Sequence, residues 1–116
     1  MKLNQPGLVF IDDDEMMRMT WSLAAEDAGI TLSTFASFDE FLQDKSKYNK
    51  DTLIYIDSEL GNNIKGEICA KHLFDEGFFE IHLATGHSKE SFCPMPWIKT
   101  IVGKEPPFLL AQENHR

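Results

Sequence analysis

Five polar side chains each follow an apolar run in this sequence, and their types suit one kind of chemistry. In chain order they are Asp12, Asp13, Asp57, Thr85 and Lys104. A carboxylate can act as a nucleophile, neighbouring carboxylates can hold a divalent cation, and a hydroxyl and an ammonium group can stabilise negative charge. These are the parts that phosphoryl transfer requires. The elements that carry the five residues must therefore bring them together.

Apolar runs alternate with segments of helical periodicity along the chain. Five strands are predicted by short apolar runs at residues 8–11, 30–35, 52–56, 81–85 and 98–102. Helical patterns separate the first runs: one ends at Gly29, one begins at a capping box over residues 37–40, and one passes through Leu73. The regular alternation predicts an α/β fold with a parallel sheet and helices on both faces.

The helical pattern weakens toward the C-terminus. Pro94 and Pro96 leave room for little more than one helical turn around residues 88–92. After the fifth predicted strand, two consecutive prolines and nine further residues allow only a stub of a final helix. We therefore expect a shortened fourth helix and a truncated fifth, in a domain over residues 1–110 with a short tail over 111–116.

Composition limits the classes of function open to the chain. Its 116 residues suffice for one domain with one core. The formal net charge of −8 argues against a nucleic-acid surface, where basic residues supply most of the affinity, and suits cation binding. No apolar run approaches the roughly 18 residues of a membrane span. Cys69 and Cys93 lack metal-ligand spacing, and we expect free thiols in a reducing cytosol.

The acidic residues are compatible with one another only if a cation lies among them. The carboxyl ends of parallel strands meet at one edge of a sheet, so Asp12, Asp13 and Asp57 are expected to converge there. Carboxylates at short distance repel one another, and Mg²⁺ prefers a few carboxylates together with waters and phosphate oxygens. The sequence thus predicts a divalent-metal site beside a carboxylate nucleophile.

Four separated motifs resemble those of receiver domains, the phosphoacceptor modules of two-component response regulators and hybrid histidine kinases. The motifs read Phe-Ile-Asp-Asp-Asp, Tyr-Ile-Asp-Ser-Glu-Leu-Gly, Leu-Ala-Thr-Gly and Val-Gly-Lys-Glu-Pro, and the resemblance covers residues 8–107. It implies a flavodoxin-like (CheY-like) doubly wound sheet of five parallel strands. It also implies a self-phosphorylating switch, rather than a turnover enzyme, that accepts a phosphoryl group from a phosphohistidine and changes the binding of a partner.

The resemblance assigns a role to each matching residue. Asp57 would be the phosphoacceptor. Thr85 would hydrogen-bond a phosphoryl oxygen, and Lys104 would pair with the carboxylate or the phosphate.

The resemblance also implies a metal centre for Mg²⁺ or Mn²⁺. Asp13 would coordinate the cation directly and Asp12 through a water molecule. The backbone carbonyl of Glu59 and the carboxylate of Asp57 would complete the protein ligands. Glu59 and His87 flank this site, and two interpretations stay open for them: they tune the phosphoryl lifetime by ordering or blocking the attacking water, or they are exposed loop residues.

The sequence departs from the family pattern at four places. Ile101 stands where many receivers carry an aromatic residue that rotates when the threonine is drawn inward, so that switch is not expected in its usual form. Glu105 separates the lysine from the proline that usually follows it in a cis peptide, so the cis bond is expected to be absent or moved. Gly61 replaces a proline four residues after the nucleophile, and Gly66 comes one residue late.

The resemblance implies partners and a location as well. The phosphodonor would be a histidine kinase or a histidine phosphotransfer domain, whereas the sequence does not specify a downstream partner. No contact with nucleic acid or membrane is expected of this domain, and the reduced last two helices argue against the usual receiver dimer. The expected location is the cytoplasm. The parent protein is either a stand-alone regulator or a hybrid histidine kinase with a C-terminal receiver, which could be tethered to a membrane.

Two other functions stay open. Asp12 and Asp14 form an Asp-x-Asp pattern after the first strand, as in phosphohydrolases of the haloacid-dehalogenase type. That interpretation leaves Asp57 without a role, and the sequence lacks the further acidic motif that such enzymes carry after the lysine. The other is a receiver-like module that binds its partner without phosphorylation. The intact acids, Thr85 and Lys104 argue against it.

Overall fold

Five parallel strands form the sheet in the computed structural model, which describes residues 7–108. The strands are β1 (Leu8–Ile11), β2 (Leu32–Phe35), β3 (Leu53–Asp57), β4 (Ile81–Ala84) and β5 (Thr100–Val102). Their order across the sheet is β2-β1-β3-β4-β5, and every neighbouring pair is parallel. This is the doubly wound order of flavodoxin-like folds, so the predicted architecture is confirmed.

Three α-helices connect the first four strands. They are α1 (Glu15–Ala28), α2 (Phe38–Asp44) and α3 (Gly66–Asp75). Helix α1 begins at Asp14, whose carboxylate accepts a hydrogen bond from the Met16 N–H. It ends before Gly29, whose φ of 71° lies in the left-handed region that glycine adopts without strain. The predicted cap at Gly29 is confirmed.

Ser37 caps helix α2, as the capping-box pattern predicts. Its hydroxyl accepts the N–H of Glu40 at 3.1 Å, and the Glu40 carboxylate accepts the N–H of Ala36 at 3.0 Å. The returning bond therefore reaches one residue further back than in the usual box. The helix that follows buries Phe41 against the sheet.

Apolar side chains fill both faces of the sheet. Along β1, Val9 and Ile11 enter the core beneath helices α2 and α3, whereas Phe10 enters the core beneath helix α1. In the second core, Trp21 stacks on Phe10 with ring centroids 3.8 Å apart. Phe108 meets the edge of the same indole at 5.9 Å, so this residue near the C-terminus covers the sheet. The two cores hold β1, the strand that precedes the acidic motif, from both sides.

Two strands begin two residues later in the structure than the sequence predicts. Ile30, the predicted start of the second strand, donates its main-chain N–H to the carbonyl of Ala25 and so forms part of the turn that caps helix α1. Ile98, the predicted start of the fifth strand, donates its N–H to Met95 in a turn. An apolar run shows that a segment is buried, but it does not show which backbone partners the segment takes.

The fourth helix is reduced to one 3₁₀ turn, Lys89–Ser91. Pro94 and Pro96 follow it, and the irregular chain beyond packs Trp97 against the first core. The prediction of a shortened fourth helix is therefore confirmed. The predicted stub of a fifth helix and the tail over residues 111–116 lie outside the described residues.

The covalent features of the chain agree with the sequence prediction. Cys69 is buried, Cys93 is exposed, and both are free thiols. The described peptide bonds are all trans, as expected for the segment after Lys104. Over residues 7–108, no helix combines the length and the apolar character that crossing a membrane requires.

Candidate functional site

A cleft of about 590 Å³ opens at the carboxyl ends of strands β1, β3 and β4. Parallel pairing places Ile11 opposite Ile56, so the residues that follow these strands share one edge of the sheet. All the residues predicted for the site line this cleft: Asp12, Asp13, Asp57, Glu59, Thr85 and Lys104. The sheet therefore brings together side chains that are far apart in the sequence.

Three carboxylates converge in the cleft. One oxygen atom from each of Asp12, Asp13 and Asp57 lies within 4.8 Å of those from the other two. Asp12 is fully buried, Asp57 is 5% exposed, and Asp13 is exposed. The main-chain N–H of Asp12 donates to Phe35 at 3.1 Å, and the Asp12 carboxylate accepts the N–H of Asp14 at 2.9 Å. The acids thus stand on a strand end that backbone hydrogen bonds hold in place.

Lys104 bridges the two buried carboxylates. Its Nζ lies 2.8 Å from Oδ2 of Asp12 and 3.1 Å from Oδ1 of Asp57. Burial lowers the pKa of Lys104, but hydrogen bonds to the two aspartates and their charges raise it above its ordinary value overall. The ammonium group therefore stays charged in the cleft, where it can balance the charge of a carboxylate or a phosphoryl group.

The Asp57 carboxyl is hard to ionise in this environment. Burial and the nearby charge of Asp12 raise its pKa from 3.8 to about 6, against the opposing effects of Lys104 and of a hydrogen bond from the Glu59 main chain. One ammonium group faces three carboxylates, so the cluster carries an excess of negative charge when all three ionise. A divalent cation is the kind of group that would balance it.

The donor set fits a hard divalent cation. Carboxylate oxygens are the ligands that Mg²⁺ and similar cations prefer. Gly61 approaches the exposed acid closely, because a Cβ at this position would lie 3.0 Å from Oδ2 of Asp13. Glycine, with a φ of 82° here, leaves that oxygen accessible. Asp12, Asp13 and Asp57 would hold the cation, and the Glu59 carbonyl stays a predicted ligand.

The hydroxyl of Thr85 is already hydrogen-bonded inside the cleft. Its Oγ1 lies 3.1 Å from Oγ of Ser58 and accepts the main-chain N–H of His87 at 3.0 Å. Thr85 and Ser58 are both buried. The sequence interpretation missed Ser58, since a small hydroxyl residue beside Asp57 does not reveal which neighbour it contacts.

Glu59 and His87 meet at the rim of the cleft. Nε2 of His87 lies 3.0 Å from Oε2 of Glu59, and both side chains are more than half exposed. The hydrogen bond and the charge of His87 lower the pKa of Glu59. The pair connects the loop after β3 with the loop after β4 and lines the same cleft as Asp57.

Gly66 lies against the backbone of Asp57 despite its displacement by one position. A Cβ on Gly66 would lie 1.8 Å from the Asp57 carbonyl oxygen, so no other residue fits there without a shift. The preceding turn absorbs the extra residue: Gly61, Asn62 and Asn63 have φ values of 82°, 53° and 63°. This departure from the receiver pattern therefore leaves the site intact.

Solved structures of similar fold identify the architecture. The response regulator protein TrrA of Thermotoga maritima, in complex with Mg²⁺ and BeF, is 21% identical, with a TM-score of 0.76 over 96% of each chain. The chemotaxis response regulator CheY4 of Vibrio cholerae is 18% identical, with a TM-score of 0.74 over 97% of this chain and 98% of that one. A BeF₃-activated DrrB receiver domain is 19% identical, with a TM-score of 0.71 over 97% of both chains. This chain has the receiver-domain fold.

No family model matches the sequence, and no curated protein matches it either. The receiver fold is therefore visible in the structure and in the short motifs rather than in overall sequence similarity. Within the receiver fold, the acidic cleft lies at the carboxyl edge of the sheet, where ligands of doubly wound folds bind.

Proposed function

We propose that this chain is a phosphoacceptor receiver domain of a two-component phosphorelay. It accepts a phosphoryl group from a phosphohistidine onto Asp57, with the help of a divalent cation, and thereby changes the binding of a partner. The observation that carries the proposal is the position of the Lys104 ammonium between the carboxylates of Asp12 and Asp57, beside the exposed Asp13. One cleft thus contains a nucleophile, a cation site and a charge-stabilising group.

The chemical step is an exchange of one bond to phosphorus for another. A carboxylate oxygen of Asp57 forms a P–O bond while the P–N bond to the donor imidazole breaks. The ring nitrogen keeps the electron pair of that bond and takes a proton from solvent. Lys104 can redirect a hydrogen bond from Asp57 to a phosphoryl oxygen, and the Thr85 hydroxyl can donate to another. A bound Mg²⁺ would neutralise charge on the transferring group.

We propose that the switch operates through hydroxyl contacts. Ile101 is aliphatic, so it offers no aromatic ring to follow the movement of Thr85. Oγ1 of Thr85 accepts hydrogen bonds from the Ser58 hydroxyl and from the main-chain N–H of His87. Movement of Thr85 toward the phosphoryl group, with loss of the Ser58 contact, would couple the loop after β4 to the state of Asp57.

The two competing functions are less well supported. A haloacid-dehalogenase-type enzyme would use Asp12 and Asp14, but the Asp14 carboxylate caps helix α1 and stands outside the cluster that Asp12 forms with Asp13 and Asp57. A module that works without phosphorylation would have no use for a lysine that bridges two buried acids. Neither function explains why Asp57 lies beside Lys104 and the other two acids.

The proposal also specifies the binding partners of the domain and its location in the cell. The phosphodonor is a histidine kinase or a histidine phosphotransfer domain, and either Mg²⁺ or Mn²⁺ suits the oxygen ligands. The domain acts in the cytoplasm, alone or as the receiver of a hybrid histidine kinase. We propose that the usual receiver dimer does not form, because the fourth helix, part of the face by which receivers commonly dimerise, is a single 3₁₀ turn, Lys89–Ser91.

Intact-mass measurement with a small phosphodonor tests the proposal. Acetyl phosphate with Mg²⁺ should add one acid-labile phosphoryl group, and EDTA should prevent it. Asp57→Asn should abolish the addition, whereas Asp51→Asn, a change at an exposed turn residue, should not. Addition that persists in Asp57→Asn would overturn the assignment.

A further inference from the structure

The indole of Trp21 connects strand β1, which leads to Asp12, with the loop that carries Lys104, and it does not enter the cleft. Its Nε1–H donates a hydrogen bond to the main-chain carbonyl of Lys104 at 2.9 Å. The same ring stacks on Phe10 with planes only 5° from parallel, and Phe10 is the second residue before Asp12. One fully buried side chain therefore links the strand that carries a buried acid to the loop that carries the ammonium group.

The loop that carries Lys104 has few other restraints. Within the described part of the chain, the main chain of residues 103–105 takes part in no other hydrogen bond. Pro106 and Pro107 cannot donate one, because proline has no N–H. A movement of about 1 Å in this loop would carry the ammonium group beyond good hydrogen-bond distance from its two carboxylates.

We propose that Trp21 is a positioning residue that sets the location of the Lys104 ammonium group for phosphoryl transfer. It acts through the Lys104 carbonyl and through Phe10, and it does not touch the phosphoryl group. The effect on rate rests on the proposed function, whereas the effect on the position of Lys104 does not. The two effects can therefore be measured separately.

The second tryptophan of the chain provides a matched control. Trp97 also donates its Nε1–H to a main-chain carbonyl at 2.9 Å, in this case that of Glu67. Trp97 packs against the core beneath helices α2 and α3 and is not among the residues that line the cleft. Trp97→Phe thus removes the same kind of hydrogen bond at a place that does not hold Lys104.

The first measurement is a double-mutant cycle on the rate of phosphorylation by acetyl phosphate with Mg²⁺. Trp21→Phe should slow the reaction about fivefold, the rate equivalent of one net hydrogen bond, and Trp97→Phe should leave it unchanged. In a Lys104→Met background, Trp21→Phe should have no further effect. An equal slowing in both backgrounds would show that Trp21 does not act through Lys104 and would overturn the proposal.

The second measurement does not depend on phosphorylation. Acylation of lysines by a dilute amine-reactive ester, followed residue by residue by mass spectrometry, should show Lys104 reacting several-fold faster in Trp21→Phe, with the other lysines unchanged. A general loosening of the fold would accelerate all of them. If Trp21→Phe does not fold, benzothienylalanine at position 21 keeps the shape of the ring and removes the N–H.

The results separate this proposal from the proposed function. If the wild-type protein accepts no phosphoryl group, the proposed function is overturned. If loss of the Trp21 N–H nevertheless exposes Lys104 to acylation, the positioning role is supported. Lys104 reactivity that stays at the wild-type level in both ring variants would overturn the positioning role, whatever the phosphorylation assay shows.

Discussion

The ammonium nitrogen of Lys104 lies 3.1 Å from Oδ1 of Asp57, a carboxyl whose pKa burial and the charge of Asp12 raise to about 6. The contact joins the end of the third strand to the loop after the fifth, but it supplies one positive charge to three acids. The cleft therefore favours either the binding of a cation or the protonation of one carboxylate.

Removal of the Asp57 charge should stabilise the protein when no divalent cation is present. Asp57→Asn should raise the free energy of unfolding by about 1–2 kcal/mol at pH 7 in EDTA. Because the folded-state pKa is raised to about 6 from 3.8, this carboxyl supports folding in its protonated form. Its contribution is fully present below about pH 4 and is lost as the pH rises through about 6. Urea unfolding at pH 4 and pH 7 checks both the size and the sign.

The appropriate control for this prediction is Asp51→Asn, which removes a charge from an exposed turn. It should change stability little at either pH. Equal stability of Asp57→Asn and wild type at pH 7 would mean that the negative charge of Asp57 does not destabilise the folded protein.

Mg²⁺ should stabilise the wild-type chain because it binds only the folded cluster. At ten times its dissociation constant the cation should add about 1.4 kcal/mol to the free energy of unfolding. Asp13→Asn should remove most of this gain, since Asp13 is the exposed carboxylate of the three. Thermal unfolding across a Mg²⁺ titration measures it, and a gain that survives Asp13→Asn would argue against the assigned site.

Ser58→Ala should favour the phosphorylated state. The change removes the hydrogen bond that the Ser58 hydroxyl donates to Oγ1 of Thr85, so that Thr85 can move toward a phosphoryl oxygen without breaking this bond. The ratio of phosphorylated to free protein at limiting acetyl phosphate should rise up to about fivefold, as expected for one hydrogen bond. Ser22→Ala, on the exposed side of helix α1, should have no effect. A ratio at or below that of wild type would contradict the proposed exchange of hydroxyl contacts.

The Glu59–His87 pair should lengthen the lifetime of the phosphoryl group by restricting access of water to the rim of the cleft. Glu59→Gln and His87→Ala should each speed its loss by about twofold to fivefold, and the double variant should resemble the single ones because the two groups act as a unit. Decay of the labelled protein after removal of the donor gives the rates. Unchanged decay in both single variants would show that the pair is only an exposed loop contact.

Much of the fold could be predicted because its signals are local. The buried strands read as apolar runs, and Gly29 and Ser37 mark helix ends by well-understood chemistry. The second and fifth strands begin two residues later than the pattern predicts, because Ile30 and Ile98 are apolar yet take turn partners rather than strand partners. Hydrophobic pattern reports burial, whereas strand boundaries depend on backbone pairing that only the folded chain defines.

The candidate site was predictable in its acids and less so in its supporting contacts. Parallel strands must bring Asp12 and Asp57 to one edge, so their convergence follows from topology. The contact of Ser58 with Thr85 and the bond from Trp21 to the Lys104 carbonyl depend on side-chain directions and on a loop without regular structure. No spacing in the sequence encodes such contacts.

Chemical trapping of the phosphorylated residue is the decisive test of phosphoryl transfer to Asp57. Borohydride converts an aspartyl phosphate to homoserine, which peptide mapping locates by mass. After reaction with acetyl phosphate and Mg²⁺, homoserine is expected at position 57 alone. Homoserine at position 12, or phosphorylation without any reducible aspartate, would contradict it.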